Sequence, residues 1–250
     1  MNFRFPPPTL MKKVHKLTKS NRKKKVTLRI NMAQSMDGHT IEPNGRWSLG
    51  SKEDKRRMDR LRLWADCLIA SRRSIENDNP NLIVRSKINS KKHPMPVIIL
   101  QNIDRKIKCD RRIFNKPHPP GEFWVNTKST PTIQDILEKD GFEESVHGKW
   151  KVRSWQNVTE IHSSLVENGN SNILLEGGPA LNGLFLKENL IDEIFFTIVP
   201  YLWAGKTPDR IITSDDFLPV SRFKILSIEK RNNEVFFRYK VTRNKITDHT

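Results

Sequence analysis

The run Ile173-Leu174-Leu175-Glu176-Gly177-Gly178-Pro179-Ala180-Leu181-Asn182 constrains this chain more than any other stretch. A short, unbroken apolar segment reads as a buried strand. It ends on a carboxylate, Glu176, then passes through two glycines into a helix that opens on proline. Gly177 and Gly178 let backbone amides approach a ligand with no Cβ in the way. Pro179 suits the first helical turn, where a missing N–H costs nothing. The helix start then offers N–H groups and the positive end of the dipole, a seat for phosphate. The pattern predicts a nucleotide or dinucleotide at a strand-to-helix turn, with Glu176 in the same cleft. The alternative is a tight turn that holds no ligand.

A chain of 250 residues can form one large domain with its own core, without disulfides or metals. Cys67 and Cys109 stand far apart and form no C-x-x-C, which argues against a disulfide scaffold or a cysteine zinc site. A reducing compartment, the cytoplasm, is the simplest expectation. No segment has the apolar length of a membrane span, and no secretory h-region follows the N-terminus. The net charge is +17, but residues 1–25 carry nine cationic side chains and no acid, leaving +8 on the remainder. That segment reads as a basic flexible tail, stiffened at its start by Pro6-Pro7-Pro8. A solvated tail is the plainer reading of it; attraction to nucleic acid and an organellar transit peptide are the alternatives.

Beyond the tail the expected order is strand 26–32, helix 52–65, then strands 67–70, 96–100 and 122–125. Helical patterns follow at 131–140 and 158–168, then strand 172–176, helix 179–189 and strand 192–199. Two final strands, 222–230 and 234–241, are joined at Arg231-Asn232-Asn233 as a hairpin. Strands alternating with helices predict an α/β fold, a mostly parallel sheet flanked by helices with an antiparallel C-terminal hairpin. The domain is expected to run over 26–243, with 244–250 as a C-terminal tail.

Several familiar signatures fail. Gly205-Lys206-Thr207 resembles the end of a phosphate-binding loop, but Pro200 stands where its first glycine belongs. No G-x-G-x-x-G is present, and no H-x-E partnered with P-C-x-x-C. The seven histidines are scattered without metal spacing, so no metal is expected. The sequon at Asn157 carries no weight in a chain that is not secreted. Four other segments hold: Ser35-Met36-Asp37-Gly38, the loop tryptophan Trp47, Arg62 late in the first helix, and Asn77 to Arg85. The last is expected to follow a strand-like element and to set Asp78 and Arg85 around a proline turn. Each alone has a plain structural reading as turn, core or solvated side chain.

In this order, however, they resemble a family. The pattern S-x-D-G, a loop tryptophan, L-R with A-D soon after, a D-x-P-x-L-like segment ending in arginine, and L-x-E-G-G-P-x-L-x-G stands here as Ser35–Gly38, Trp47, Leu61-Arg62 with Ala65-Asp66, Asp78–Arg85 and Leu174–Gly183. It resembles the reductase domain of riboflavin biosynthesis, which has the dihydrofolate reductase-like fold, in a stand-alone form without the partner deaminase. The resemblance covers about residues 26–240. It implies an NADPH-dependent oxidoreductase that converts the ribosylamino group of a pyrimidine ribose phosphate to ribitylamino, with hydride delivered to ribose C1′. It further implies a homodimer, and no membrane or nucleic-acid partner. The positions that would line the substrate are Gly45, Arg62, Leu82, Arg85 and Glu176, with the two arginines suited to a phosphate. Those that would line the cofactor are Ala33, Trp47, Ser74, Asp78, Asn102 and the run Gly178, Pro179, Ala180, Leu181, Asn182, Gly183 and Leu184. Glu176 and Asp78 are the candidate catalytic residues, and for Glu176 positioning is favoured over proton relay.

The chain departs from the family at Asn31, where bifunctional members carry lysine; at Gln101-Asn102-Ile103-Asp104-Arg105, which keeps only the arginine of the family's motif; and at Arg72-Arg73-Ser74, where serine replaces threonine. Arg72, Arg73 and Arg105 are the candidate partners of a 2′-phosphate. Two other readings stand beside the main one. One is a reductase of the same fold acting on another pterin or pyrimidine; the other is a non-catalytic nucleotide- or nucleic-acid-binding relative.

Overall fold

The computed structural model describes residues 25–42, 50–85, 92–114, 119–138, 143–205, 210–214 and 222–242. The basic tail up to Lys24, the loop holding Gly45 and Trp47, and the C-terminal tail lie outside them. Nine strands form one sheet in the order β5-β4-β3-β2-β6-β1-β7-β9-β8. They are β1 Thr27–Gln34, β2 Cys67–Ser71, β3 Met95–Leu100, β4 Glu122–Asn126, β5 Lys151–Trp155, β6 Asn172–Leu175, β7 Glu193–Ile198, β8 Arg222–Arg231 and β9 Glu234–Thr242. The first seven in that spatial order run parallel; β9 is antiparallel to both β7 and β8. The helices are α1 Lys52–Trp64, α2 Arg72–Asp78, α3 Ile133–Ile136, α4 Glu144–His147, α5 Val158–Glu167 and α6 Pro179–Lys187. The expected sheet with its C-terminal hairpin is the one observed.

Alternation along the strands sorts the core into two layers. Leu28, Ile30, Ile69, Ile99, Ile173 and Leu175 meet α5 and α6 through Ile161, Leu165 and Phe185. Leu68, Ala70, Ile98, Phe123 and Leu174 meet α1 and α2 through Leu61 and Ile75. Local chemistry fixes the ends of these elements. The Ser51 hydroxyl accepts from the amides of Glu53 and Asp54 and starts α1. Asn157 caps α5 by accepting from the Glu160 amide, so the sequon residue is a helix cap. The Asp66 carboxylate accepts from the amides of Ser171 and Asn172, and the Asp192 carboxylate from that of Leu28. These two acids thus pin the N-terminal ends of β6 and β1.

Three expectations change. The segment before Asn77 is a helix, α2, and not strand-like; its single buried residue, Ile75, leaves no apolar period to read. Ser71 caps it and Asn79 ends it with φ 44°. The helix expected over 131–140 is one turn, Ile133–Ile136, closed by a reciprocal Thr132–Asp135 capping box. Strand β5 was not anticipated, because Lys151-Val152-Arg153-Ser154-Trp155 lies on the sheet edge and buries only Trp155 fully. The hairpin turn holds two residues, Asn232 and Asn233, with Arg231 paired to Glu234 and Asn232 at φ 54°.

Candidate active site

Strands β2 and β6 are neighbours, with Ile69 beside Leu175. From β2 the chain leaves through α2 towards β3; from β6 it leaves through α6 towards β7 on the other side. Adjacent parallel strands whose connections part in opposite directions open a crevice at their C-terminal ends, where ligands of such sheets bind. Ser71 and Glu176-Gly177-Gly178 stand at those two ends.

On one side of the crevice is a cavity of about 140 Å³. Gly178, Pro179 and Ala180 of α6 line it, facing Ser71, Ser74 and Asp78. Gly178 is the N-cap of α6 with extended backbone, no side-chain cap bond is made among the described residues, and Pro179 follows in its first turn. The Ser71 and Ser74 hydroxyls lie 2.9 Å apart. A Cβ on Gly178 would come 3.7 Å from the Ser71 Oγ and 4.0 Å from the Ser74 Oγ, so the missing side chain keeps open the space between the helix start and the hydroxyls. An uncapped helix start facing hydroxyls is a donor set that fits a phosphate or diphosphate. Arg73 also lines the cavity.

The rest of the expected cofactor run divides. Leu181 packs into the core, Asn182 is fully buried with its Nδ2 donating to the Ile211 carbonyl at 2.8 Å, and Gly183 backs onto the Thr213 carbonyl. Leu184 is half-buried against the same core. Only the first turn of α6 therefore faces the cavity. Ala33 is buried in β1 beside Thr197, and Asn102 is exposed just beyond β3. Ile41 and Thr213, which carried no signal in the sequence, complete the cavity wall.

On the other side, Glu176 extends the ladder by donating its amide to the Ile69 carbonyl at 2.9 Å. Its carboxylate takes two parallel bonds from Arg62, 3.0 Å from Nε to Oε1 and 2.6 Å from Nη2 to Oε2. Arg62 Nη1 donates to the Ile83 carbonyl at 2.9 Å. Leu82, next to Ile83, is 2 % exposed and holds φ 51°, a left-handed conformation costly for a branched side chain. Arg85 bonds Asp59 at 3.1 Å through Nε and is 38 % exposed. The guanidinium of Arg62 is thus committed to Glu176, while that of Arg85 is accessible to solvent.

The S-x-D-G segment closes the same edge. Ser35 Oγ donates to Asp37 Oδ1 at 2.5 Å, and Asp37 Oδ2 accepts from the amides of Trp203 and Ala204 at 2.9 and 2.7 Å. The Ser35 hydroxyl, reinforced by those amides, holds the Asp37 carboxyl far below the ordinary aspartate range. This ties the loop after β1 to the loop after β7. Asp54, on α1, is 1 % exposed; its Oδ1 accepts from the Thr197 hydroxyl at 2.8 Å and its Oδ2 has no partner among the described residues. Burial pushes its pKa up, and the charge of Glu176 contributes in the same direction. Among the described residues no group of His, Cys, Asp and Glu is arranged to hold a metal.

Comparison with known proteins places the chain in a family and a fold. The family model of the RibD C-terminal domain matches residues 26–237. Among curated proteins, the chain is 24 % identical over 186 residues to the 2,5-diamino-6-ribosylamino-4(3H)-pyrimidinone 5′-phosphate reductase of Methanothermobacter thermautotrophicus, covering 74 % of this chain and 83 % of that one. Among solved structures, a pyrimidine reductase-like protein from Corynebacterium diphtheriae superposes with a TM-score of 0.71 at 18 % identity, covering 88 % of this chain and 93 % of that one. RibD of Acinetobacter baumannii gives 0.70 at 20 % identity; 87 % of this chain is covered, but only 58 % of the RibD chain. These likenesses show the fold.

Proposed function

The chain belongs to the RibD C-terminal domain family, and on that premise we propose that it reduces 2,5-diamino-6-ribosylamino-4(3H)-pyrimidinone 5′-phosphate with NADPH. The activity is an oxidoreductase step of riboflavin biosynthesis. The diamino base is taken as the substrate because the name of the Methanothermobacter relative specifies it. The single observation that carries the reading is the Arg62–Glu176 pair, set at the switch point beside the open start of α6.

When bound, the reduced nicotinamide supplies the hydride. The first turn of α6 and the Ser71 and Ser74 hydroxyls would hold the cofactor's diphosphate, and Arg73 would be at hand for a 2′-phosphate. Glu176, fixed by Arg62 in a bidentate bond, is an acceptor only; its remaining lone pairs orient the substrate. Arg85 takes the substrate phosphate, while Leu82, buried in the core, only supports the segment that carries Arg85. Reduction at C1′ would form a C–H bond and break the ring C1′–O bond, the ring oxygen taking a proton from water to become a ribityl hydroxyl. Asp78 contributes a carboxyl to the cofactor side of the crevice.

The reading includes a homodimer and a cytoplasmic location. Phe223, Ile225 and Ile228 of edge strand β8 are 40, 51 and 56 % exposed. They lie opposite Val241, Tyr239 and Phe237 of β9, on one face of the sheet. An apolar face of this kind on an edge strand suits a second copy. Both cysteines are buried free thiols, in keeping with a reducing compartment. No helix among the described residues is long and apolar enough to cross a membrane.

The test is turnover of the purified chain with NADPH and the diamino substrate, followed by loss of the reduced cofactor's near-ultraviolet absorbance. Oxidation of NADPH that collapses in Arg85→Ala is expected. NADPH binding without turnover on either the diamino or the deaminated base would favour another pyrimidine or pterin substrate.

A further inference from the structure

The structure contains a second, larger cavity that the crevice does not use. It measures about 260 Å³ and lies between α1 and the β7-β9-β8 end of the sheet. Arg29, Arg57, Arg60, Arg231 and Arg238 line it, together with the carboxylates of Glu53 and Glu229 and the aromatic rings of Trp64, Phe195 and Phe236. On α1 its residues are Glu53, Arg57, Arg60, Leu61 and Trp64, whereas Asp59 and Arg62 hold Arg85 and Glu176.

The charges around this cavity do not balance. Arg29 and Arg238 share one carboxylate, Glu193, at 2.8 Å each. Arg231 takes Glu229 at 2.8 Å and lies 3.9 Å from Glu53. Glu53 is also bonded to Arg56. Two guanidinium groups then have no hydrogen-bonded carboxylate among the described residues, Arg57 and Arg60. Arg57 is 7 % exposed. Its Nη groups donate to neutral acceptors, the Phe196 and Phe237 carbonyls and the Thr197 hydroxyl, and its Nε has no partner among the described residues. The nearest acid, Asp54, accepts its hydrogen bond from Thr197 instead. Burial draws the Arg57 pKa down to about 10, although the charges of Asp54 and Glu229 act in the opposite direction, so the guanidinium has acids near it but none hydrogen-bonded to it among the described residues. Arg60 is exposed at the rim of the same cavity.

We propose that this cavity is an anion site that takes a phosphate-bearing small molecule, with Arg57 at its floor and Arg60 at its rim. A phosphate group carries about two charges and three oxygens, more than a carboxylate, and so suits two arginines at once. The flanking rings give an apolar wall to whatever the phosphate is attached to. The volume suits a phosphate or diphosphate with a small substituent and excludes a dinucleotide. The site is independent of the reductase reading, since its residues lie on the other face of α1 from Arg62.

Calorimetric titration of the full chain with inorganic pyrophosphate, at fixed ionic strength and with saturating NADPH, tests this. The expected result is a saturable site that persists in the presence of NADPH and in Arg85→Gln. Arg60→Gln, at an exposed position, is expected to weaken it tenfold or more with melting temperature unchanged. Arg57→Lys, which keeps the charge but loses the fork, is expected to weaken it similarly where it folds. No saturable pyrophosphate binding under NADPH, or binding lost in Arg85→Gln and kept in Arg60→Gln, overturns the proposal. Turnover of Arg60→Gln within about twofold of the parent separates loss of this site from failure of the reductase reading.

Discussion

Arg62 and Glu176, 114 positions apart in the sequence, meet in two parallel hydrogen bonds of 3.0 and 2.6 Å, with side chains only 5 % and 10 % exposed. One comes from the last turn of α1, the other from the residue that follows β6. The pair therefore joins the α1 layer to the switch point of the sheet and sets the direction of the carboxylate. Burial makes such a pair sensitive to loss of one partner, because the survivor is left charged and unpaired.

Arg62→Ala is expected to destabilise the fold by about 3–5 kcal/mol, the usual cost of orphaning a buried charge. Arg62→Lys keeps the charge and loses the fork, so it should stay folded while turnover falls by about 10²-fold, the scale of a misplaced catalytic group. Urea melts and steady-state kinetics on the two variants separate the effects. Equal turnover in Arg62→Lys and the parent would mean that the geometry of Glu176 does not matter to the reaction.

Two glycines five residues apart are expected to behave oppositely. A Cβ at Gly178 meets nothing closer than 3.7 Å and stands on the cavity wall. Gly178→Ala should melt like the parent but bind NADPH about tenfold more weakly, a loss of ~1.4 kcal/mol. A Cβ at Gly183 would stand 1.9 Å from the Thr213 carbonyl oxygen. Gly183→Ala should cost about 1–3 kcal/mol of stability from overpacking. Cofactor titration and melting of both variants check the contrast.

The same region shows what was legible in the sequence. Glu176, the two glycines and Pro179 announced the strand, the turn and the helix start, because each residue type performs its role locally. The inward placement of Asn182 and Gly183 was hidden, since their neighbours at Ile211 and Thr213 arrive from a distant segment. Helix α2 was missed for a related reason. It buries Ile75 alone, and its Ser71 cap is recognisable only once β2 is known to end there. The Arg62–Glu176 pair escaped too: a guanidinium beside a substrate phosphate and one committed to a carboxylate look alike in a sequence.

Asp37 gives a prediction in pH. Its folded pKa lies below the ordinary value of 3.8, chiefly through the Ser35 hydroxyl. A depressed carboxyl stabilises the fold above its unfolded pKa, and that contribution is lost as the pH falls through the folded one. The melting temperature of Asp37→Asn should therefore lie below that of the parent at neutral pH, and the gap should close as the pH drops under about 4. A gap of constant size across the acid range would assign the effect to something other than this charge.

The exposed face of β8 bears on assembly. Ile228 is 56 % exposed and Ile225 51 % exposed, and both face away from the α1 layer with Tyr239 and Phe237. Ile228→Lys together with Ile225→Lys should convert a dimer to a monomer in sedimentation at micromolar concentration while leaving the monomer folded, since neither side chain belongs to the core. An unchanged sedimentation coefficient would move any interface elsewhere.

Asp54 reverses the sign of the Asp37 argument. Burial raises its folded pKa, so the folded state disfavours its charge and the penalty grows as the pH climbs above the ordinary value of 3.8. Asn is nearly isosteric with Asp, and its Oδ1 keeps the bond from the Thr197 hydroxyl. At the other atom nothing is lost, because Oδ2 has no partner among the described residues. Asp54→Asn is thus expected to raise the melting temperature at neutral pH by about 2–4 °C, which is what 1 kcal/mol is worth in a chain of this size. The gain should shrink as the pH falls towards the unfolded pKa, where both states carry the proton. A variant that melts lower than the parent at neutral pH would instead show that the attraction between the Asp54 charge and Arg57, to which no acid is hydrogen-bonded among the described residues, outweighs the cost of burying it.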